Sequence, residues 1–221
     1  MTGTVVPDRR GRRRQETIEQ VLAVAVEVMT EQGAAGLTLG EVARRMGIRP
    51  PSLYGYFDGK HALYDALFER GWRALQGVLE QAGAIADGAD PLTAWRGGTT
   101  ALVRWAVEHP AHSALMFWRP VPGFTPSERA YAPAVALDAE SRALLVRLRD
   151  AGHLAADVDL DRAYRAWTAL VGGVISQQLS NAPGEPFETG AFTTVLPDVM
   201  DMWLDHHRTE PVRPLIRGGP P

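Results

Sequence analysis

At 221 residues and 45% hydrophobic content, the chain is long enough for one or two domains with a sizeable core. It has no cysteine, which excludes disulfides, thiolate metal sites and a cysteine nucleophile. The formal net charge is −3, but residues 1–73 carry +2 and the remainder −5, so positive charge gathers at the amino end, as a nucleic-acid partner would require. No apolar run nears the roughly 18 residues that span a bilayer, and no apolar h-region follows the basic N-terminus. A soluble cytoplasmic protein without a membrane partner is expected.

Residues 1–14 hold Arg9, Arg10, Arg12, Arg13 and Arg14 without apolar periodicity, and a disordered basic arm is expected there. Two uses stand open for it: lying along a groove or phosphate backbone, or solvation alone. From Gln15 to Gln32 the apolar residues Ile18, Val21, Leu22, Ala25, Val28 and Met29 recur at helical spacing, and Gly33 ends the run. Thr38 is a good N-cap with Glu41 three residues later, a capping-box arrangement.

Val42, Met46, Ile48, Leu53 and Phe57 supply the apolar positions of two short helices, with Gly47 between them where a chain leaving a helix needs positive φ. Ala43 falls where the two would cross, at about 90–120° in a helix-turn-helix. The second helix opens on Pro50 and Pro51 and buries Leu53 with Phe57. Arg49, Ser52, Tyr54, Gly55 and Tyr56 are left near the open side, where they could enter a major groove. Asp58, Gly59 and Lys60 start the next helix and bring an ammonium beside its N-terminus, a place for a phosphate. The bland alternative is a small helical core whose tyrosines pack internally.

As a set, Thr38, Ala43, Gly47, the LYGYF run at 53–57 and Lys60 resemble the DNA-binding domain of TetR-type (tetracycline-repressor-like) transcriptional regulators, over roughly residues 15–70. The resemblance implies a homodimer that binds palindromic DNA through this motif and releases it when a small molecule enters the C-terminal domain. It implies phosphate contacts for Thr38, Tyr54, Tyr56 and Lys60, and contacts to bases or their neighbours for Arg49, Pro50, Ser52 and Gly55. Gly55 stands where larger side chains are common, and Gly40 lacks a polar group that some members use for base reading.

Beyond the motif, a helix from Lys60 to about Ala82 is expected, then a loop to Pro91 and helices over Pro91–Glu108, Ala111–Trp118, Ser127–Ala151, Leu160–Asn181 and Phe187–His207. The resulting fold is all-α, with about nine helices: a helix-turn-helix domain over 15–59, a linking helix over 60–82 and a ligand-binding and dimerisation domain over 83–209. A disordered tail is expected over 210–221. All six tryptophans follow the motif. Trp72, Trp95, Trp105, Phe117, Trp118, Phe124, Tyr131 and Trp167 are candidates for the lining of an apolar pocket, against the reading of plain core. The last two helices are apolar around most of their circumference and need partners on two sides. Trp167, Val171, Val174, Gln178, Val195, Val199, Met202 and Trp203 are the candidate dimer face, meeting the same helices of a second chain. Gly172 and Gly173 mark either close backbone approach or a kink.

No GxSxG elbow, phosphate-cradling glycine loop or HExxH motif occurs, and His109, His112, His153, His206 and His207 lack carboxylates at matching spacing. No catalytic residue, metal site or cofactor is therefore expected. The reading is a homodimeric repressor that binds a palindromic operator and is released by a small, mainly apolar effector. The alternatives are a ligand-independent DNA-associated adaptor and a small helical enzyme.

Overall fold

Helical periodicity carries through to the structure. A computed structural model describes residues 9–83 and 88–208, among which there is no strand. The described residues form eight α-helices and two 3-10 turns: α1 (Arg9–Gln32), α2 (Leu39–Arg45), α3 (Lys60–Gln81), α4 (Pro91–Glu108), α5 (Pro110–Phe117), α6 (Glu128–Asp150), α7 (Leu160–Asn181) and α8 (Leu196–His207), with turns at Ala34–Gly36 and Pro50–Ser52. The first eight residues of the expected arm and the expected tail lie outside the described residues. Residues 9–14, expected to be disordered, are the first turn and a half of α1. Arginine is a good helix former, and the nucleus is already supplied by the buried stripe downstream.

The chain divides into two compact units, Met1–Gln81 with Ala101–Asp138 and Ala82–Thr100 with Ala139–Pro221. Helices α4 and α6 each contribute residues to both units. In the first unit, Val21, Ala25 and Val28 of α1 pack with Leu37, Val42, Ala43, Leu53, Leu63 and Leu67, all buried. Each fully buried leucine contributes about 2 kcal/mol. The Tyr64 hydroxyl donates to the Ala34 carbonyl, tying α3 to the 3-10 turn. Arg45 joins α1 to α2 through bonds to Glu31 and Glu41. The Arg44 and Arg45 guanidinium groups hold the Glu41 carboxyl down to about 2.

Helices α3 and α5 cross closely at Gly71, where a Cβ would come within 2.5 Å of Met116 Sδ and 3.1 Å of His112 Cδ2. His112 is buried there. Burial above all, then the neighbouring His109 and Arg70, push its imidazole down to about 4. Ser127 caps α6, its hydroxyl accepting from the Ala130 N–H at 3.2 Å, while the Asp65 carboxylate accepts from both the Ser127 N–H and hydroxyl.

In the second unit, Trp95 of α4 stacks on Trp203 of α8 at 5.0 Å, and the Trp203 indole donates to the Ala163 carbonyl of α7. Asp159 caps α7 by accepting from the Arg162 N–H at 3.0 Å. The last helix is shorter than expected, starting at Leu196 rather than near Phe187. Pro197 removes an N–H and restricts the residue before it, so the helix begins there, and residues 183–195 form turns. Gln178 organises those turns. Its amide donates to the Ala182 carbonyl at 2.8 Å and accepts from the Phe192 and Thr193 N–H groups, and Gly190 is needed because a Cβ would lie 2.7 Å from Gln178 Oε1.

Two stability outcomes follow from this packing. Gln178→Ala leaves the Phe192 and Thr193 N–H groups without their acceptor and takes one of two donors from the Ala182 carbonyl, and should lower unfolding free energy by about 3 kcal/mol in urea titration; a loss under about 1 kcal/mol would contradict the assignment. The unfolded chain takes up the His112 proton near pH 6.5 and the folded one only near 4. Stability should therefore be full above about pH 6.5 and fall by about 3 kcal/mol as pH drops toward 4, with His112→Gln flattening that fall. Equal slopes in both proteins over pH 4–6.5 would rule this out.

Candidate nucleic-acid interface

The interface is built from the way α2 ends. The Ile48 N–H bonds the Ala43 carbonyl and the Gly47 N–H that of Arg44, a Schellman closure with Gly47 at φ 67°. Thr38 caps the other end of α2, its hydroxyl accepting from the Glu41 N–H at 3.1 Å. Only half of the expected capping box forms, because the Glu41 carboxylate turns to Arg44 and Arg45 instead of back to Thr38.

After the turn, the expected second helix is reduced to a 3-10 turn at Pro50–Ser52 and one α-type turn, in which the Phe57 N–H bonds the Leu53 carbonyl at 3.0 Å. Pro50 and Pro51 bring no N–H, Gly55 favours no helix, and Gly59 at φ 115° turns the chain into α3. Leu53 and Phe57 are buried and hold this recognition turn to the core. Arg49, Pro50, Ser52 and Gly55 are exposed beside it, Tyr54 is 58% exposed, Tyr56 is half-buried, and Thr38 and Lys60 are exposed on either side. The internal packing of both tyrosines, the bland alternative, is not what the fold adopts.

One contact had no signal in the sequence. Arg14, 41 residues upstream, donates to the Gly55 carbonyl at 2.9 Å and lays its guanidinium 4.9 Å from the Tyr56 ring centroid. Both partners belong to the recognition turn.

The aromatic residues expected around a pocket are divided between the two units. In the first, Trp72 meets Phe117 edge-on at 5.6 Å, Phe117 meets Trp118, and Phe68 joins Trp72 to Tyr131. Phe124 packs on Tyr64, and Trp105 stacks on His109 with ring centroids 4.9 Å apart. In the second, Trp95 is core with Trp203, and Trp167 lies by Tyr164. Trp95 and Trp105 are almost wholly buried.

The candidate dimer face also sorts by burial. Val171, Val174, Gln178 and Trp203 are buried within the second unit, at 1% exposure for Gln178 and 2% for Trp203, and the polar groups of those two are committed inside the chain. They are core, which corrects the expectation that they face a partner. Val195 and Met202 are open at 42% and 69%, with Trp167 and Val199 intermediate, and Leu170, exposed on α7, adds to them. Among the described residues no helix is long and apolar enough to cross a membrane, and no group of three or more histidine, aspartate or glutamate residues could hold a metal.

The family described as bacterial regulatory proteins of the tetR family matches residues 21–67, and the tetracyclin repressor-like C-terminal domain matches 95–199, together about two thirds of the chain. The HTH-type transcriptional regulator Rv1816 of Mycobacterium tuberculosis is 32% identical over 122 residues, 51% of this chain and 50% of that protein. The chain thus spans about half the length of the curated relatives it matches first. The class C tetracycline repressor of Escherichia coli is 43% identical over 51 residues, 23% of each chain. The fold matches that of the TetR family transcriptional regulator PfmR from Thermus thermophilus, with a TM-score of 0.66, 22% identity and coverage of 84% of this chain and 97% of the other. With an exposed recognition turn on a helix-turn-helix and both halves of the family pattern present, the chain belongs to the TetR family of transcriptional regulators.

Proposed function

We propose that the protein is a homodimeric repressor whose two recognition turns enter successive major grooves of a near-palindromic operator, and which a small apolar effector releases. The observation that carries the DNA reading is the recognition turn itself: anchored by Leu53 and Phe57, it leaves Arg49, Pro50, Ser52, Tyr54 and Gly55 accessible. On this reading Arg49 and Ser52 meet bases, while Thr38, Tyr54, Tyr56 and Lys60 hold backbone phosphates and set register.

Support for pairing comes from the exposed apolar strip of Leu170, Val195 and Met202, and from Gly172 and Gly173, at which an added Cβ would meet nothing within 4 Å. A second copy of α7 can approach there closely. Two-fold pairing would repeat the recognition turn, which matches a palindrome if the copies sit about 34 Å apart.

Support for an effector comes from the aromatic run of Trp72, Phe117, Trp118 and Tyr131 along α3, α5 and α6. Lys60 and Trp72 share α3, twelve residues or about 18 Å apart. A ligand at Trp72 can release DNA only by favouring a geometry in which the two turns no longer match successive grooves. Shifting the dimer from almost fully competent to almost fully incompetent takes about 5.5 kcal/mol of differential affinity.

Selection of genomic fragments by the full chain should enrich one near-palindromic site with half-sites about one helical turn apart. Lys60→Ala should weaken binding to it about tenfold, evenly across base changes in the site. Failure to enrich any site, or unchanged affinity in the variant, would refute the DNA reading. Separately, Leu170→Asp with Met202→Asp should shift sedimentation from dimer to monomer and abolish high-affinity operator binding; a dimer that survives both charges would place the pairing surface elsewhere.

A further inference from the structure

The first turn and a half of α1 extends past the core and carries five arginines, all exposed. Arg9, Arg10, Arg12 and Arg13 form no ion pair with any other described residue. The buried stripe of α1, Val21, Ala25 and Val28, is continued upstream by half-buried Ile18 and then by Arg14. Arg14 is held against the recognition turn through the Gly55 carbonyl and the Tyr56 ring. This contact fixes which side of the overhang faces that turn. At 3.6 residues per turn, Arg10 lies about 40° around the helix from Arg14 and about 6 Å further out, and Arg13 about 100° away on the flank. Arg9 and Arg12 lie about 140° and 160° away, on the opposite side.

We propose that this overhang is a second DNA-contacting surface, in which Arg10 and Arg13 bind backbone phosphates beside the groove entered by the recognition turn. Arg14 is the positioning residue that joins the two. The inference rests on the DNA reading above and goes beyond it in adding a contact surface outside the helix-turn-helix. Continuity decides the occupant: the arginines begin where the recognition turn ends in space, and a duplex lying on that turn is the nearest dense row of negative charge. Guanidinium groups suit it because each can fork onto two phosphate oxygens.

The test measures affinity of the full-length protein for the selected operator duplex between 50 and 200 mM KCl. Arg10→Ala with Arg13→Ala should flatten the log–log salt slope by about 0.9 for each phosphate left without its guanidinium, about 3.6 for the four such phosphates facing a dimer. Arg9→Ala with Arg12→Ala removes the same charge from the other side and should flatten it by less than half as much. Equal flattening by the two variants, or none from the first, overturns the assignment while leaving the operator reading intact. A wild-type protein that binds no duplex brings down both.

Discussion

The arrangement of the interface depends on one hydrophobic anchor, the burial of Leu53 and Phe57 against the α2 crossing at Ala43. The recognition turn contributes little helical stability of its own, because two prolines remove donors at its start and Gly55 loosens its end. A segment this short cannot hold a conformation in water by its own hydrogen bonds. What fixes it is about 4 kcal/mol of apolar burial from two side chains spaced one turn apart. The same spacing turns Arg49, Ser52 and Tyr54 outward. Burial and display are one geometric fact here, and they would fail together.

Around that anchor, electrostatics does the aligning. Arg45 reaches both Glu31 of α1 and Glu41 of α2, and so sets the angle between the supporting helix and the first motif helix. These pairs are only partly shielded from solvent and individually modest. Their value lies in direction, since bidentate guanidinium–carboxylate bonds tolerate few orientations. Arg14 plays the corresponding role for the recognition turn, with a carbonyl and an aromatic face as partners in place of a carboxylate. Both arginines act across elements.

The legible part of the fold was whatever is local. Pro91–Glu108 and Leu160–Asn181 were readable nearly to the residue, because Pro91 and the Asp159 cap mark their starts and Pro110 and Pro183 follow closely on their ends. The positive φ at Gly47 and the Thr38 cap were readable for the same reason. The illegible part was what depends on a distant partner. Residues 187–195 carry apolar side chains at helical spacing, yet Gln178 captures the Phe192 and Thr193 N–H groups and the helix waits until Leu196. Gln178 looked like an interface residue because a polar side chain on an apolar face has no local explanation; its explanation lies fourteen residues downstream. The tryptophans misled in the same way: Trp95 and Trp203 are each other's partners, and periodicity cannot tell a side chain facing a core from one facing a cavity.

The position of Gly71 bears on how a signal could travel. With no Cβ at that point, α3 and α5 approach until Met116 and His112 fill the space against backbone. A contact of that kind has little slack beyond what the Met116 side chain can yield, since protein interiors are packed as densely as organic crystals and repack in discrete steps. On the proposed reading, a ligand that displaces Phe117 or Trp118 on the α5 side cannot be absorbed by side-chain adjustment alone. It must move α3, and α3 is a single helix whose first residue is Lys60. The glycine that lets the helices touch is therefore also what makes them move together, and the end of α3 that moves is the end placed beside the recognition turn.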